Sequence, residues 1–341
     1  MKRILVLLSL VFPISAFSQQ YPSKPIRIVV PYTAGGPADL LVRGLGQKLN
    51  EAWGQQVVVE NKPGANEIIA AQDIAKSPAD GYHYLIASDA VFSLNGFLYS
   101  RLPYDPVKDF APVGRLVTAN LMLVARPGLP AASVKELIDY AKKNPGKLNY
   151  GSVGAGGVNH LAFAWFNTMN GLEMQHVPYK GLVQGLQDVM TDRLDTMFAV
   201  IGGAAPHLKA GKMKGLAVSG KSRNALIPEV PTFAEAGLPN FDASFYFALA
   251  APAGTPRELL AKFAAESGKI VTSPEFKEKY LFNLGFEAVS DTPEAFAAFL
   301  KQDRELAAKK VTASGAKLVR GRTCSSSIFF RTSSRRRSSS A

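Results

Sequence analysis

The stretch Ile26–Gly46, IRIVVPYTAGGPADLLVRGLG, reads as strand, glycine turn and helix with little between them. Ile26, Ile28, Val29 and Val30 form the short apolar run of a buried parallel strand, and Pro31 ends it. Gly35 and Gly36 permit backbone angles that a side chain forbids and leave turn amides open to a visitor. Pro37 suits a first helical turn, and Leu40, Leu41 and Leu45 give the apolar stripe of a helix lying on a sheet. First-turn amides have no partner in their own helix, so such a turn is a ready site for an anion. A similar unit recurs at Lys147–Asn167, KLNYGSVGAGGVNHLAFAWFN. Two such turns facing each other across a cleft would make a clamp.

At 341 residues the chain is long for one core, and 47% hydrophobic with 19% charged residues describes a globular protein in which two lobes are expected. The formal charge is +12, but six of the 39 basic residues lie at or beyond Arg320, and Lys2 and Arg3 open the chain. Without these eight, 31 basic residues face 27 acidic ones. That mild excess suits an anionic ligand without implying a polyanion, so no nucleic-acid partner is expected. Residues 1–18 read as an export signal: Lys2 and Arg3, the apolar run Ile4–Phe12, Pro13, then small residues up to Ser18, after which cleavage is expected. The alternative, a membrane anchor, would need about 20 apolar residues. Cys324, the single cysteine, lies in the tail, which leaves no disulfide or thiol chemistry to the folded part. The tail 320–341 is basic and rich in Ser and Arg, and it reads as disordered.

Strands and helices alternate along the chain in the doubly wound manner. Strands are expected at Gln56–Glu60 and Tyr82–Ser88, with a helix over Ile68–Lys76. Leu102–Gly114 reads as a proline-punctuated loop and Leu116–Ala125 as one extended segment. A second α/β series follows, opened by Ser133 with Glu136 as a capping box. Its later strands are Met174–Val177, Thr196–Val200 and Gly215–Ser219, with a short helix over Ala205–Ala210. Phe245–Ala250 is the return strand; helices then run to about Ile270, over Pro274–Leu284 and over Thr292–Val311. Two crossings, near Leu121 and Phe245, divide the chain into lobe 1 (19–120 and 245–319) and an inserted lobe 2 (121–244). That arrangement supports hinge closure over a ligand.

Several motifs fail on context. Gly215–Ser222, GLAVSGKS, satisfies the P-loop expression, but Leu216, Ala217 and Val218 are themselves strand and the prolines downstream leave little room for the helix that phosphate needs. The glycines around Gly154 match a dinucleotide fingerprint only loosely, because Asn159 stands where the third glycine belongs. Tyr150 stands where a nucleophile elbow needs glycine. His83, His160, His176 and His207 show no ligand spacing, so no metal site is expected. Nor does any nucleophile couple to a base, so no enzyme is expected. What survives is the ability of Ser152 and the glycine amides to hold a carboxylate, with His160 one turn into the helix as a cleft donor or a loop-bonded core histidine. Asp39 suits a helix N-terminus; Tyr179 and Lys180 occupy a strand-to-helix turn.

The runs YPSKPIRIVVPYTAGGPADLLVR, VVVENKPGA, PADGYHYLIAS, LPYDPVKDFAPVG, NPGKLNYGSVGAGGVNHLA, VPYKG, LKAGKMKGLAV, PEVPTFAEAGLPNF and APAGTP occur in this order. Together they closely resemble the solute receptors of tripartite tricarboxylate transporters, the Bug-type periplasmic binding proteins, from Tyr21 to about Val319. The resemblance implies an α/β, two-lobed periplasmic-binding-protein fold of type II, without cofactor. It also implies a periplasmic, monomeric receptor that captures a di- or tricarboxylate, acidic amino acid or aromatic acid and delivers it to inner-membrane tripartite permease subunits. A sensor feeding a signalling kinase is the alternative within this class; the P-loop hydrolase is the alternative outside it. Carried over from the family, lobe 1 contacts are Tyr32, Ala34, Gly35, Gly36 and Ser88; those of lobe 2 are Ser152, Gly154, Gly156, His160, Tyr179, Lys180 and Gly181. Bridging waters would let one cleft suit different anions. The chain departs from the family at Asn66-Glu67-Ile68-Ile69, which puts a carboxylate near a usually neutral turn, and at Ala199, where aspartate is frequent.

Overall fold

The computed structural model describes residues 21–179 and 181–314. Lys180, the leader read over 1–18 and the tail 320–341 lie outside the described residues. The opening unit forms as read: β1 (Ile26–Val30), α1 (Pro37–Trp53), β2 (Val57–Asn61), α2 (Ile68–Ala75) and β3 (His83–Ser88), with β1 parallel to both β2 and β3. The apolar stripe of α1 runs through Leu41, Val42, Leu45 and Leu49; Leu40 falls on the outer face and is exposed. After β3 the chain makes a wide helical turn, Ala90–Leu94, and a short α3 (Asn95–Leu98) that sequence reading missed.

The next segment corrects the reading of Leu102–Gly114 as loop and Leu116–Ala125 as one strand. Two strands form, β4 (Phe110–Ala119) and β5 (Leu121–Ala125), separated by Asn120 and belonging to different sheets. Pro112 is tolerated within β4 because it sits where the pairing with the return strand shifts register. The second series comprises α4 (Val134–Lys143), β6 (Asn149–Ser152), α5 (Val158–Asn170), β7 (Gln175–Pro178), α6 (Leu182–Met190), β8 (Thr196–Val200), α7 (Ile201–Lys209) and β9 (Lys214–Val218). β10 (Phe245–Pro252) returns, followed by α8 (Arg257–Thr272), α9 (Pro274–Phe276), β11 (Phe286–Ala288) and α10 (Pro293–Ser314). The helix expected over Pro274–Leu284 stays α-helical for three residues only, then widens at Lys277–Leu281 and tightens at Phe282–Leu284.

The strands sort into two sheets, β11-β4-β10-β3-β1-β2 and β7-β6-β8-β5-β9. Chain passes between them twice, at Asn120 and through 219–244. The two crossings leave the first sheet side by side, because β4 and β10 are antiparallel neighbours paired from Phe110↔Pro252 to Ala119↔Phe245, with two register shifts between. Each lobe has an aromatic core: Tyr84 stacks on Phe263 at 3.8 Å in the first, and Phe163, Phe166, Phe198, Phe233 and Phe241 interlock in the second. The lobes also touch away from the crossings. Leu161 of α5 packs with Leu94, Leu98, Ala307 and Val311, and the Lys310 ammonium lies 5.6 Å from the Trp165 ring. On the other flank Gly202 of α7 meets the backbone at Asn283–Leu284 so closely that a Cβ there would sit 2.5 Å from Asn283 O.

Candidate functional site

In the first lobe, the carboxyl ends of β1 and β3 carry Tyr32 and Ser88, and the turn before α2 carries Glu67 between them. Glu67 is 5% exposed. Its Oε1 accepts the Tyr32 hydroxyl at 2.5 Å and also the Ser88 hydroxyl; its Oε2 accepts the Ser88 amide at 3.0 Å. Burial pushes this carboxyl above the usual carboxylate range, with the bonds from Ser88 and Tyr32 opposing. Burial and the facing Glu67 raise the Tyr32 phenol well above its ordinary value. Glu67 is delivered by an uncommon backbone: Ala65, Asn66 and Glu67 have φ of 48°, 51° and 70°. Left-handed conformations cost L-residues about 1–2 kcal/mol each, least for Asn. Strain of this kind concentrates where a side chain must be aimed.

The first glycine turn is less open than its sequence suggests. Gly35, at φ +80°, gives its amide to Asp39 Oδ2 at 2.8 Å, and Gly36 gives its amide to Thr33 O. Asp39 also accepts from Arg43 and Asn61. Burial works against its charge, but these bonds prevail and hold it below the usual carboxylate range. It braces the glycine turn, and the remaining donors belong to the N-terminus of α1, where Gly36 supplies no side-chain cap. Ala34 lies in the same turn and is exposed.

In the second lobe, β6 ends at Ser152 and α5 begins after Gly157, again without a side-chain cap. Gly154 and Gly156 take φ of 124° and 81°, which folds the turn back over Ser152. The Ser152 hydroxyl lies 2.7 Å from His176 Nε2, 3.0 Å from Gly154 O and 3.2 Å from Gly154 N. It therefore braces the turn from within. His160 is 1% exposed; its Nδ1 accepts the Gly156 amide at 3.1 Å, which leaves the ring proton on Nε2. That Nε2 has no partner among the described residues. Burial, with His176 adding, pushes the His160 pKa down to about 3, and burial pushes His176 down to about 4, so both rings are neutral donors or acceptors at pH 7. Asn159 ties the start of α5 to β8 by donating to Phe198 O at 2.7 Å.

The two walls meet at Asn66. Its Nδ2 donates to Gly156 O at 3.2 Å in the opposite lobe and to Asn95 Oδ1 at 2.7 Å in its own. In the sequence Asn66 and Glu67 stand out only as departures from the family, and nothing local marks them as the bridge; their role depends on contacts 21 to 90 residues away. Tyr179 is turned to other work. Its hydroxyl donates to Asp188 Oδ2 at 2.8 Å and its amide to Ser152 O, and burial followed by Asp188 raises its phenol to about 12. Gly181 is the uncapped N-cap of α6. Ala199 is fully buried in the core of the second lobe. The P-loop expression lies on β9 with no helix after Lys221. Among the described residues no group of three or more His, Cys, Asp or Glu could hold a metal ion, and no helix is long and apolar enough to cross a membrane.

Two α/β lobes joined by paired crossings, with the glycine turn before α5 bonded to the turn before α2 of the other lobe, define a two-lobed periplasmic-binding-protein fold. Residues 41–313 match the tripartite tricarboxylate transporter family receptor, and the chain belongs to that family. A UPF0065 protein of Bordetella pertussis is 35% identical over 303 residues, covering 88% of this chain and 93% of that one. Among solved structures, an R. palustris protein with adipate superposes with a TM-score of 0.82 at 33% identity, covering 87% of this chain and all of the other. MatC from Rhodopseudomonas palustris, with bound malate, gives 0.77 at 28% identity, with 85% and 100% covered. The family is one of solute-binding receptors and not a class of enzymes.

Proposed function

We propose that this chain is an extracytoplasmic receptor that captures a small carboxylate between its lobes and presents it to a tripartite-type permease. The observation that carries the reading is the bond from Asn66 to Gly156, which sets the turn before the uncapped α5 against the Tyr32–Glu67–Ser88 wall, with a buried neutral His160 whose Nε2 proton is unclaimed among the described residues. Helix N-termini favour anions through free amides and the macrodipole. An imidazole held neutral adds a directional donor and no charge that pH would remove. Relatives solved with adipate and with malate support a carboxylate as the guest. The two crossings would let the lobes close on it as a hinge, and Tyr32, Ser88, Ser152, Gly154 and Gly156 would line the closed cleft, with Ala34, Gly35, Gly36, Tyr179 and Gly181 at its rim.

Thermal shift against mono-, di- and tricarboxylates, amino acids and aromatic acids tests this directly. A ligand at a hundred times its Kd should stabilise the folded chain by about 2.7 kcal/mol. A raised melting temperature with one acid class is expected; no response to any carboxylate would refute the reading.

A further inference from the structure

Glu67 stands where a guest carboxylate would find donors in the first lobe. Tyr32 and Ser88, both expected as ligand contacts, spend two hydroxyls and an amide on its two oxygens. A carboxylate has about four acceptor positions, so three such bonds leave one, on Oε2. No basic side chain among the described residues pairs with Glu67, and burial is the chief influence on it. Asp89, the residue after Ser88, is 8% exposed, and its Oδ1 has no partner among the described residues. Asp303 and Lys310 act on Asp89 with opposite signs. The first-lobe wall therefore carries carboxyl groups that lack a paired cation, while the second-lobe wall offers the N-terminus of α5 and neutral His160.

Resting on the receptor reading above, we propose that Glu67 fills the first-lobe carboxylate position itself, so that the cleft selects an amino carboxylate. The guest's single carboxylate lies toward α5 and His160, and its cationic nitrogen lies toward the free acceptor of Glu67. A dianion would set a second negative charge beside a buried one, where low polarity strengthens repulsion; an ammonium there supplies the missing countercharge. Discrimination of this kind comes from a repulsive element as much as from an attractive one. The left-handed backbone of Ala65–Glu67, bridged to the other lobe through Asn66, fixes the carboxylate at the seam and not on the surface.

The test is calorimetry on the purified chain with length-matched pairs, adipate against 6-aminohexanoate and succinate against 4-aminobutanoate, with hexanoate as a monoanion. The expected result is at least tenfold tighter binding of the amino acid than of its dianion in one or both pairs. In Glu67→Gln that preference should fall at least tenfold. Glu67→Gly, which suits the positive φ and removes the carboxylate, should show the same change if the glutamine variant folds poorly. Equal or tighter binding of dianions by the unaltered chain, or a preference unmoved in both variants, overturns the role of Glu67 and leaves the receptor reading standing. Binding of none of the five acids overturns the selection of an amino carboxylate, and the receptor reading falls only if the wider carboxylate screen is also silent.

Discussion

The Asn66 side-chain amide donates to the carbonyl of Gly156, 3.2 Å away and 90 residues on, and so joins the turn before α2 to the turn before α5 across the cleft. Glycine at position 66 would keep the left-handed backbone and delete the bond. One hydrogen bond is worth about 0.5–1.5 kcal/mol net, so Asn66→Gly should shift the balance toward the open form by about that much. Small-angle scattering of the ligand-free chain should then give a larger radius of gyration.

Gly202 allows the opposite flank to close. A methyl group there meets the backbone at Asn283 and Leu284, which cannot step aside as a flexible side chain would. Gly202→Ala should hold the lobes apart and weaken ligand binding tenfold or more, with the circular dichroism spectrum unchanged. Unaltered affinity would show that closure does not bring α7 against this segment.

His160 should matter to binding more than to folding at pH 7. Loss of a hydrogen bond to a charged guest costs about 1.5–3 kcal/mol, or roughly ten- to hundredfold in Kd. Calorimetry on His160→Ala, with its melting temperature as a control, reads this directly. Ser152→Ala should also weaken binding, but through a loosened turn, because its hydroxyl already holds Gly154 and His176.

Stability should fall in acid through the same histidines. The folded pKa values of about 3 and about 4 lie below the ordinary 6.5, so the unfolded chain binds more protons in the interval between. Their contribution is intact above pH 6.5 and is lost progressively as pH falls toward 4 and then 3. Melting temperature followed from pH 7.5 to pH 4.5 should decline, and the decline should be shallower in His160→Gln.

Asp89 works in the opposite direction. Burial, reinforced by Asp303, raises its pKa to about 8, so the folded chain holds a proton that the unfolded chain releases above pH 3.8. Its contribution is present in acid and is lost as pH climbs through 8. Asp89→Asn, which cannot ionise, should therefore stabilise the chain at pH 8 by about 1–3 kcal/mol, because no buried charge forms there, and by little at pH 4.

Local physics made part of this molecule legible. Ile26–Val30 is a strand because its apolar run is short and stopped by proline, and α1 starts at Pro37 because its fixed φ suits a first helical turn. Ser133 caps α4 by accepting the Glu136 amide, while Glu136 returns its carboxylate to Ala132 and not to Ser133. The break at Asn120 was hidden, since Leu116–Ala125 is apolar apart from Thr118 and Asn120 and only sheet membership divides it. The site was hidden more deeply. A glutamate between Tyr32 and Ser88, and a tyrosine turned to Asp188, are decided by side chains that meet only once their own lobe has folded.

The side-by-side departure of β4 at Ala119 and β10 at Phe245 gives the molecule a double-threaded pivot. A pair of parallel tethers twists about one axis and resists shear along the others, so the halves swing like a door on two pins. If the chain is the receptor proposed above, the width of the mouth would gauge whatever is held in it, and a longer guest would leave it wider.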